Sequence, residues 1–455
     1  MAGEWKRVRV NEIAQRTATG PFGSAISSKH FCDSGVPVIR GSNLSQETGI
    51  RLVDEGLTFV SEEKAREFAR SEARPGDLVF TCWGTIDQVG LIDHRARYKR
   101  YIVSNKQMLF TPDASRADSL FLYYTFRSPE NRSAILNQGI GSSVPGFNLG
   151  QLRSFEIDLP PLANQKAIAA VLGALDDKIE LNRRMNATLD AMVRVLFQSW
   201  FVDFDPVRAK LDGRKPDGLD KPTAALFPAA FQDSNLGPIP KGWTVSNIAD
   251  LATRIAMGPF GSRITRDNFV PDGVPVVRGG NLTDGFVDDD FVFLTEAKAD
   301  ELKASVASSL DLVFTHRGTL GQVGIVPANP RYPRYVVSQS QMLLSVDKGK
   351  ASPWMVYLFF RSPIGEAALL ANTSTTGVPA ISRPTTSLKA IPMVLPPTAV
   401  GKRYDEVVQP LFLQREQSAR HSRTLTTLRD TLLPKLLSGQ LSVANLEQIR
   451  ETIAQ

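Results

Sequence analysis

The feature that most constrains this chain is a long internal repeat. GVPVIRGSNL, from Gly35 to Leu44, returns as GVPVVRGGNL from Gly273 to Leu282. GPFGSAI, from Gly20 to Ile26, returns as GPFGSRI from Gly258 to Ile264, at the same offset of 238 residues. This period is far longer than the roughly 20 to 50 residues of solenoid repeats, so each copy is predicted to be a whole domain.

Two further stretches repeat in the same order. DLVFTCWGTIDQVGLI, from Asp77 to Ile92, returns as DLVFTHRGTLGQVGIV from Asp311 to Val326, and YIVSNKQMLF, from Tyr101 to Phe110, returns as YVVSQSQMLL from Tyr335 to Leu344. Runs rich in Val, Ile, Phe and Tyr that are bounded by turn residues predict strands. In the first copy these are Val36 to Arg40, Asp77 to Phe80, Gln88 to Ile92 and Tyr101 to Phe110. Helices are predicted over Ser61 to Arg70, with Ser61 as N-cap, and over Ser119 to Arg127. Each copy is therefore predicted to be mixed α and β.

Helical periodicity follows the first copy. Positions spaced by three and four residues form a heptad seam over more than three heptads; its members are Leu172, Leu175, Ile179, Asn182, Asn186, Leu189, Val193 and Leu196. The two asparagines are predicted either to fix register and partner or to face solvent at a slightly different phase. A second stripe follows the second copy and holds Leu425, Leu428, Leu432 and Leu436.

The predicted fold class is α+β. Two similar mixed α/β domains are separated by two long helices, which are expected to form an antiparallel coiled coil with approximate two-fold symmetry. A helix from Ala163 to Phe204 would be roughly 60 Å long. The predicted order is domain 1 (1–161), helix 1 (162–204), a Pro- and Gly-rich linker (205–242), domain 2 (243–397), and helix 2 with a tail (398–455).

The sequence contains no catalytic constellation. GPFGS resembles a phosphate loop but has no following Lys-Ser or Lys-Thr, and the four histidines lack metal-ligand spacing. Cys32 and Cys82 are too few for a disulfide framework or a tetrahedral zinc site. The start, MAGEWKRVRV, has no apolar region of the signal-peptide type, and no apolar run is long enough to cross a bilayer. The sequence therefore predicts a cytoplasmic binding protein with no membrane partner.

Double-stranded DNA is the expected ligand. A net charge of +6 and a pI near 9.2 assist binding to a polyanion. Arg40 with Asn43, matched by Arg278 with Asn281, lies at a predicted strand end, and Arg and Asn are favoured readers of guanine and adenine. The alternative is that Arg40 pairs with a core carboxylate and that Asn43 shapes the turn.

The residues that the copies do not share are further candidates. Within the repeated frames, Cys82-Trp83 stands against His316-Arg317, and Asn105-Lys106 stands against Gln339-Ser340. A common scaffold with altered loop residues is expected of two readers of different short sequences, although neutral drift of a surface also produces variation. The candidates in these loops are Trp83, Thr85, Lys106, His316, Arg317 and Thr319. The candidates for helix pairing or subunit contact are Leu175, Ile179, Asn182, Leu189, Leu196, Leu425, Leu428 and Leu432.

This architecture resembles the specificity subunit of a type I restriction-modification system. The most specific stretch is SSVPGFNLGQLRSFEIDLPPLANQKAIAAVLGALDDKIELNRRM, at 142–185, where the family ends a target-recognition domain and enters its helix. DLVFTCWGT and its repeat resemble the family's strand before a recognition loop. The second junction departs from the pattern because it lacks the Asn at the place of Asn148 and the Gln at the place of Gln165.

The resemblance implies a non-catalytic subunit that recognises a bipartite DNA target through the major groove, one half-site per domain. Half-sites one helical turn apart lie about 34 Å from centre to centre, which a helix of roughly 60 Å can span. The resemblance also implies that the helices dock two methyltransferase subunits, which bring S-adenosylmethionine and methylate adenine after flipping it out. Restriction subunits would add ATP and magnesium. None of these cofactors is expected to bind this chain.

Two other classes of function stay open. A stand-alone nuclease or methyltransferase is disfavoured because the sequence has no Asn/Asp-Pro-Pro-Tyr/Phe motif and no evident metal-binding carboxylate pair. A coiled-coil scaffold that binds only proteins would have no sequence preference on DNA.

Overall fold

The computed structural model describes residues 5–23, 25–141, 144–374 and 377–441. The chain divides into two compact units. Unit 1 comprises Met1–Leu181 and His421–Gln455, and unit 2 comprises Asn182–Arg420. Each unit therefore contains one copy of the repeat and one half of each long helix.

Unit 1 is built on two larger sheets and a strand pair. Its strands are β1 (Lys6–Arg9), β2 (Ala14–Thr19), β3 (Phe31–Cys32), β4 (Val36–Ile39), β5 (Thr58–Val60), β6 (Glu72–Ala73), β7 (Leu78–Thr81), β8 (Val89–Leu91), β9 (Tyr101–Val103), β10 (Gln107–Pro112) and β11 (Glu156–Leu159). The five-stranded sheet has the order β3-β5-β4-β9-β6, the four-stranded sheet has the order β2-β10-β7-β8, and β1 pairs with β11. Its helices are α1 (Glu62–Glu67), α2 (Ser119–Arg127), α3 (Pro129–Asn137), α4 (Leu149–Ser154) and the first part of α5 (Leu162–Phe197).

The four-stranded sheet of unit 1 is buried on both faces. Along β7, Leu78 and Phe80 belong to the core that includes α2 and α5, whereas Val79 belongs to the core shared with the five-stranded sheet. This alternation follows from the two-residue period of a strand. The four-stranded sheet therefore lies between the helices α2 and α5 on one side and the five-stranded sheet on the other. The far face of the five-stranded sheet packs against α1.

The local signals of the sequence fold largely as predicted. Ser61 caps α1 by accepting a hydrogen bond from the Lys64 amide, and α2 covers Ser119–Arg127. The predicted strand from Tyr101 to Phe110 is wrong as one element, because the chain turns at 104–106 and β9 and β10 enter different sheets. Both strands are apolar, so the run looked continuous in the sequence.

Unit 2 repeats this topology. Its strands are β12 (Phe231–Gln232), β13 (Ile239–Pro240), β14 (Thr244–Asn247), β15 (Ala252–Met257), β16 (Phe269–Val270), β17 (Val274–Val277), β18 (Val292–Leu294), β19 (Val306–Ala307), β20 (Leu312–Thr315), β21 (Val323–Ile325), β22 (Tyr335–Val337), β23 (Gln341–Val346), β24 (Thr373–Ser374), β25 (Ala380–Ile381) and β26 (Pro392–Leu395). The orders β16-β18-β17-β22-β19 and β15-β23-β20-β21, with β14 paired to β26, match unit 1 strand for strand. The helices are α6 (Asp205–Leu211), α7 (Lys221–Ala225), α8 (Ile248–Leu251), α9 (Glu296–Glu301), α10 (Pro353–Arg361), α11 (Pro363–Leu370) and α12 (Pro384–Lys389), and α13 (Thr398–Leu437) follows.

The segment predicted as a linker, 205–242, is folded. It contains α6, α7 and the β12–β13 pair. Val207 and Phe227 are buried in the core of unit 2 together with Trp243. The aromatic and aliphatic residues scattered between the prolines and glycines give this segment a surface to bury, which composition alone did not reveal.

The two long helices pair in antiparallel fashion. In unit 2, Asp190 of α5 contacts Arg415 of α13, and Phe201, in the π-helical turn after α5, contacts Tyr404. Residue numbers rise along one helix as they fall along the other. In unit 1, the first half of α5 and the last part of α13 share one apolar cluster, which includes Leu175 and Leu425.

Most of the predicted seam faces a core. Leu175, Leu425 and Leu432 are buried, Ile179 packs against the unit 1 core, and Leu196 packs against the unit 2 core. Asn182 is buried, and Leu189 is half-buried.

The prediction that Leu428 lies on the seam is wrong. Leu428 is 37% exposed, and Arg429 takes the inward position, with 4% exposure. Arg429 can be buried because its Nη1 contacts a carboxylate oxygen of Asp176 at 2.9 Å. The leucine spacing predicts an inward Leu428, but the neighbouring Arg429 occupies the inward position. Among the described helices, no segment has the length and apolar character needed to cross a membrane.

Candidate nucleic-acid interface

Several strands begin or finish at the same end of the four-stranded sheet in unit 1. β10 runs antiparallel to both β2 and β7, so its first residues lie beside the ends of those strands. The turns that follow therefore come together, and we call them turn cluster 1: Gly20–Gly23, Cys82–Thr85, Ser104–Lys106 and Val144–Phe147. They contain the three loop candidates of the first copy, which are Trp83, Thr85 and Lys106.

Hydrogen bonds tie the segments of turn cluster 1 to one another. The Cys82 amide donates to the Lys106 carbonyl at 2.8 Å, and the Phe147 amide donates to the Cys82 carbonyl at 3.0 Å. The Asn105 side-chain amide donates to the Gly23 carbonyl at 3.1 Å. The cluster is thus a connected backbone frame, not a set of independent loops.

Unit 2 has the same frame, which we call turn cluster 2: Gly258–Gly261, His316–Thr319, Ser338–Ser340 and Pro379–Ile381. The His316 amide donates to the Ser340 carbonyl at 3.0 Å, and the Ile381 amide donates to the His316 carbonyl at 2.9 Å. These two bonds correspond to the two bonds made by Cys82. The copies therefore share the frame although their side chains differ.

In the pairs Cys82-Trp83 and His316-Arg317, which differ between the copies, the first residue points inward. Cys82 is 6% exposed and His316 is 7% exposed. The Cys82 thiol lies 3.9 Å from the Asn105 carbonyl, and His316 Nε2 lies 3.1 Å from the Gln339 carbonyl. Burial raises the pKa of Cys82 to about 11 and lowers the pKa of His316. The placement of His316 among the base-reading candidates is thus corrected, since a buried ring cannot reach a base edge without rearrangement.

The second residue of each pair points outward. Trp83 is 51% exposed, and its indole lies over Gly146, where an added Cβ would come within 2.6 Å of the ring. Arg317 is exposed, and its backbone bridges to Ala380. An indole and a guanidinium at equivalent positions present different chemistry to the same kind of ligand. Thr85, Thr319 and Lys106, the remaining loop candidates, are also exposed.

Asn43 and Asn281, which both copies share, shape the turns that contain them. The Asn43 side-chain oxygen accepts from the Arg40 amide at 3.0 Å, and its nitrogen donates to the Val53 carbonyl at 3.0 Å. Asn281 accepts from the Arg278 amide at 2.9 Å in the same way. Both side chains are buried. Their hydrogen-bonding groups are occupied by the backbone, so the expectation that they read bases is corrected.

The shared arginines differ in exposure. Arg40 is half-buried, with its guanidinium 5.9 Å from the Phe31 ring centroid. Arg278 is exposed and donates to the Asp290 carbonyl at 3.4 Å. Arg40 Nε is buried and has no hydrogen-bond partner among the residues that the structure describes, so the alternative of a core pair for Arg40 finds no support there. Both remain candidates for contact with a phosphate.

Sequence reasoning missed one exposed residue type in these clusters. Phe22 is 88% exposed and Phe260 is 69% exposed, and each occupies the same place in a GPFG loop. The repeat of GPFGS is the signal for this residue in the sequence, because the same phenylalanine stands at the same place in both copies. In the part of the chain that the structure describes, no group of His, Cys, Asp and Glu side chains is placed to hold a metal ion.

Comparisons with known proteins agree with one another. Residues 2–191 match the sequence model of the type I restriction modification DNA specificity domain. A Haemophilus influenzae protein, the type I restriction enzyme HindI specificity subunit, is 24% identical over 75% of this chain and 81% of its own length. The Methanocaldococcus jannaschii MjaIX specificity subunit is 23% identical over 97% of this chain and 95% of its own length.

A solved structure has the same fold. The crystal structure of the type I restriction-modification S subunit from M. genitalium aligns with a TM-score of 0.59 and 12% sequence identity, covering 95% of this chain and 96% of that chain. At this identity the likeness concerns the fold alone. It extends over both units, not only over the first copy.

Proposed function

We infer, from the premise that the chain belongs to the family of type I restriction-modification specificity subunits, that it selects the DNA sequence on which such a system acts. Its target is a bipartite double-stranded site. Turn cluster 1 reads one half-site and turn cluster 2 reads the other, each in the major groove. The work of the protein is recognition, and the chemistry belongs to its partners.

One observation carries this proposal. Two turn clusters have the same backbone frame, in which Cys82 and His316 make equivalent hydrogen bonds, yet several of their outward residues differ. Trp83 is replaced by Arg317. Drift also alters exposed positions, and what favours recognition is that Trp83 and Arg317 differ at equivalent outward positions of a common frame. This arrangement suits two readers that approach their ligands alike and discriminate differently.

The residue chemistry supports DNA as that ligand. Arg317 can donate two parallel hydrogen bonds to guanine, and Trp83 can pack on an apolar base surface such as the thymine methyl group. Lys106, Arg40 and Arg278 have the charge that phosphate contacts require, and such contacts fix register without reading sequence. The net charge of +6 acts in the same direction.

The partners complete the activity. We propose that two methyltransferase subunits dock on α5 and α13 and methylate an adenine in each half-site, using S-adenosylmethionine bound in those subunits. With restriction subunits, the complex would become an ATP- and magnesium-dependent endonuclease. The site of action is the cytoplasm.

A footprint and a methylation map test the function. The complex with its methyltransferase subunits should protect two short DNA segments separated by an unprotected spacer, and methylated adenines in the host genome should define the same bipartite sequence. One uninterrupted footprint, or none, would refute two-part reading. Methyl transfer or DNA cleavage by the purified chain alone would favour a stand-alone enzyme instead.

A residue-level experiment tests the assignment of the loops. Arg317→Ala, alone or with His316→Ala, should relax discrimination at one half-site only, by the roughly 1 to 3 kcal/mol that a bidentate base contact provides. Trp83→Ala is the matched variant and should affect the other half-site. Equal loss at both half-sites from either variant would contradict the assignment.

A further inference from the structure

The GPFG loops hold exposed phenylalanines that the fold does not explain. Phe22 is 88% exposed in turn cluster 1, and Phe260 is 69% exposed in turn cluster 2. A single exposed apolar residue is common on protein surfaces. The same residue at the same place in both copies, beside turns in which Trp83 is replaced by Arg317 and Lys106 by Ser340, is a different observation. It indicates a role that both copies need.

Each phenylalanine is carried by a fixed backbone. The Gly20 amide donates to the Gln107 carbonyl at 2.9 Å, and the Gly258 amide donates to the Gln341 carbonyl at 2.8 Å. A Cβ on Gly20 would lie 1.8 Å from the Ser104 carbonyl oxygen, and a Cβ on Gly258 would lie at the same distance from the equivalent oxygen. Both glycines are therefore required for the close approach of the loop to the neighbouring turn.

The far side of each loop is also conformationally specified. Gly23 has a φ of 60° and Gly261 has a φ of 64°, a left-handed conformation that glycine adopts without strain. Pro21 and Pro259, which precede the phenylalanines, have a fixed φ and stiffen each loop. The ring is thus held outward by a rigid support, although burial in the protein would be favourable for so large an apolar group.

Phenylalanine has no polar group with which to read base edges. Apolar side chains that protrude from DNA-binding surfaces act instead as wedges, which enter between base pairs, unstack them and kink the duplex. A wedge is independent of sequence, which agrees with its identity in the two copies. Unstacking also lowers the barrier to rotating a base out of the helix, a step that any enzyme acting on a base in a duplex must complete.

We propose that Phe22 and Phe260 are wedges, one for each half-site, that unstack the DNA beside the adenine to be methylated. The idea rests on the proposed function, because it requires that the turn clusters bind DNA. DNA is favoured over a partner protein as the occupant because each loop is bonded to the turn that carries Asn105 or its counterpart Gln339, within the cluster where the copies diverge. A surface for identical partner subunits would not be expected among residues that differ between copies.

The test uses the complete complex with its methyltransferase subunits. Phe22→Ala and Phe260→Ala should each slow single-turnover methylation of a matched duplex at one half-site by roughly 10- to 100-fold, the consequence of losing part of the few kcal/mol needed to unstack a base step. Fluorescence of 2-aminopurine placed at the target adenine should rise on binding of the wild-type complex and should rise less with the variant. Phe22→Leu, which keeps an apolar wedge, should retain most of the rate.

A pre-weakened substrate distinguishes a wedge from an ordinary contact. A mismatch opposite the target adenine removes much of the cost of extrusion, so the Phe22→Ala complex should recover most of its rate on that duplex. Leu236→Ala removes another exposed apolar side chain, which is 46% exposed and outside the turn clusters, and should leave both rates unchanged.

Three outcomes would overturn the wedge. They are an equal defect of Phe22→Ala on matched and mismatched duplexes, a rate equal to wild type on the matched duplex, and failure of the variant to assemble with its partner subunits in size-exclusion chromatography. The last outcome would assign the loop to a protein contact. If the wild-type complex itself showed no two-part target, the proposed function would fail first, and that result is separate from any effect of Phe22.

Discussion

The same place in the helix pair is charged in unit 1 and apolar in unit 2. Asp176 of α5 and Arg429 of α13 form an ion pair at 2.9 Å, with side chains that are 1% and 5% exposed. The repeat aligns them with Phe412 and Val193, which lie in the apolar core of unit 2. The repeat therefore conserves which positions are buried without conserving the chemistry that fills them.

The ion pair of unit 2 lies at another level of the helices. Asp190 approaches Arg415 at 3.6 Å, and these residues align with Thr426 and Ile179 in unit 1. Asp190 also contacts Arg194 at 2.6 Å and Arg361 at 3.9 Å. The two halves are consequently not interchangeable, because exchanging their helix segments would set Asp176 in the place of Phe412. A buried carboxylate without its partner is strongly unfavourable.

The largest predicted effect comes from breaking the ion pair of unit 1. Arg429→Met leaves Asp176 buried, with the Tyr124 hydroxyl still donating to it, and should lower the free energy of unfolding by about 3 to 5 kcal/mol. The double variant Asp176→Leu with Arg429→Met imitates the apolar choice of unit 2 and should recover most of that loss. Urea unfolding of the full chain measures both, and a double variant as unstable as the single one would contradict this account.

The matched variant in unit 2 is Arg415→Met. Its cost should be smaller, because Asp190 keeps two other arginines and the paired side chains are 21% and 17% exposed. Partial solvation screens such a pair and reduces its contribution. Equal destabilisation by Arg415→Met and Arg429→Met would show that the two helix pairings are energetically alike despite their different contacts.

The second effect concerns a feature that the copies share. Asn43→Ala and Asn281→Ala each remove a buried amide that satisfies neighbouring backbone groups, so each should destabilise the chain by about 1 to 3 kcal/mol. The two costs should be similar because the geometry is similar. Unchanged stability with weaker methylation at one half-site would instead return these asparagines to a role in DNA reading.

What the sequence could predict depends on whether a pattern has one physical meaning. The paired matches, the Ser61 cap and the limits of α2 depend on local chemistry, and the structure agrees with them. His316 is buried because its ring faces the Gln339 carbonyl. The sequence alone does not indicate which of two adjacent turn residues, His316 or Arg317, points inward.

The helix seam illustrates the same limit. Leu428 fits the leucine spacing and Arg429 does not, yet the arginine is inside because a carboxylate 253 positions away neutralises it. Long-range pairing of this kind overrides helical periodicity. The exposure of Phe22 is similarly a property of the assembled turns, since glycine and proline signals in the sequence predict a turn but not the direction of the ring it holds.

The smallest predicted effect is a difference between Cys82 and His316 in how the free energy of unfolding depends on pH. Burial lowers the pKa of His316 below the ordinary value of about 6.5, so the unfolded chain binds a proton that the folded chain does not. The stability associated with His316 is present above that value and is lost as pH falls through the folded pKa. Burial raises the pKa of Cys82 from its ordinary value of about 9 to about 11, so its contribution is present below about 9 and is lost as pH rises through the folded value.

Exchanging the residues should exchange these responses. His316→Cys should remove the part of the acid-induced loss of stability that comes from position 316, and should leave the alkaline response of Cys82 in place. At pH 10 the loss from Cys82 should be about 1 kcal/mol and should disappear in Cys82→Ser. The free energy of unfolding from urea titrations at pH 5, 7.5 and 10 measures all three proteins. Parallel pH profiles for wild type and His316→Cys would mean that the ring is solvated in the folded chain, and His316 would then rejoin Arg317 among the residues able to meet DNA.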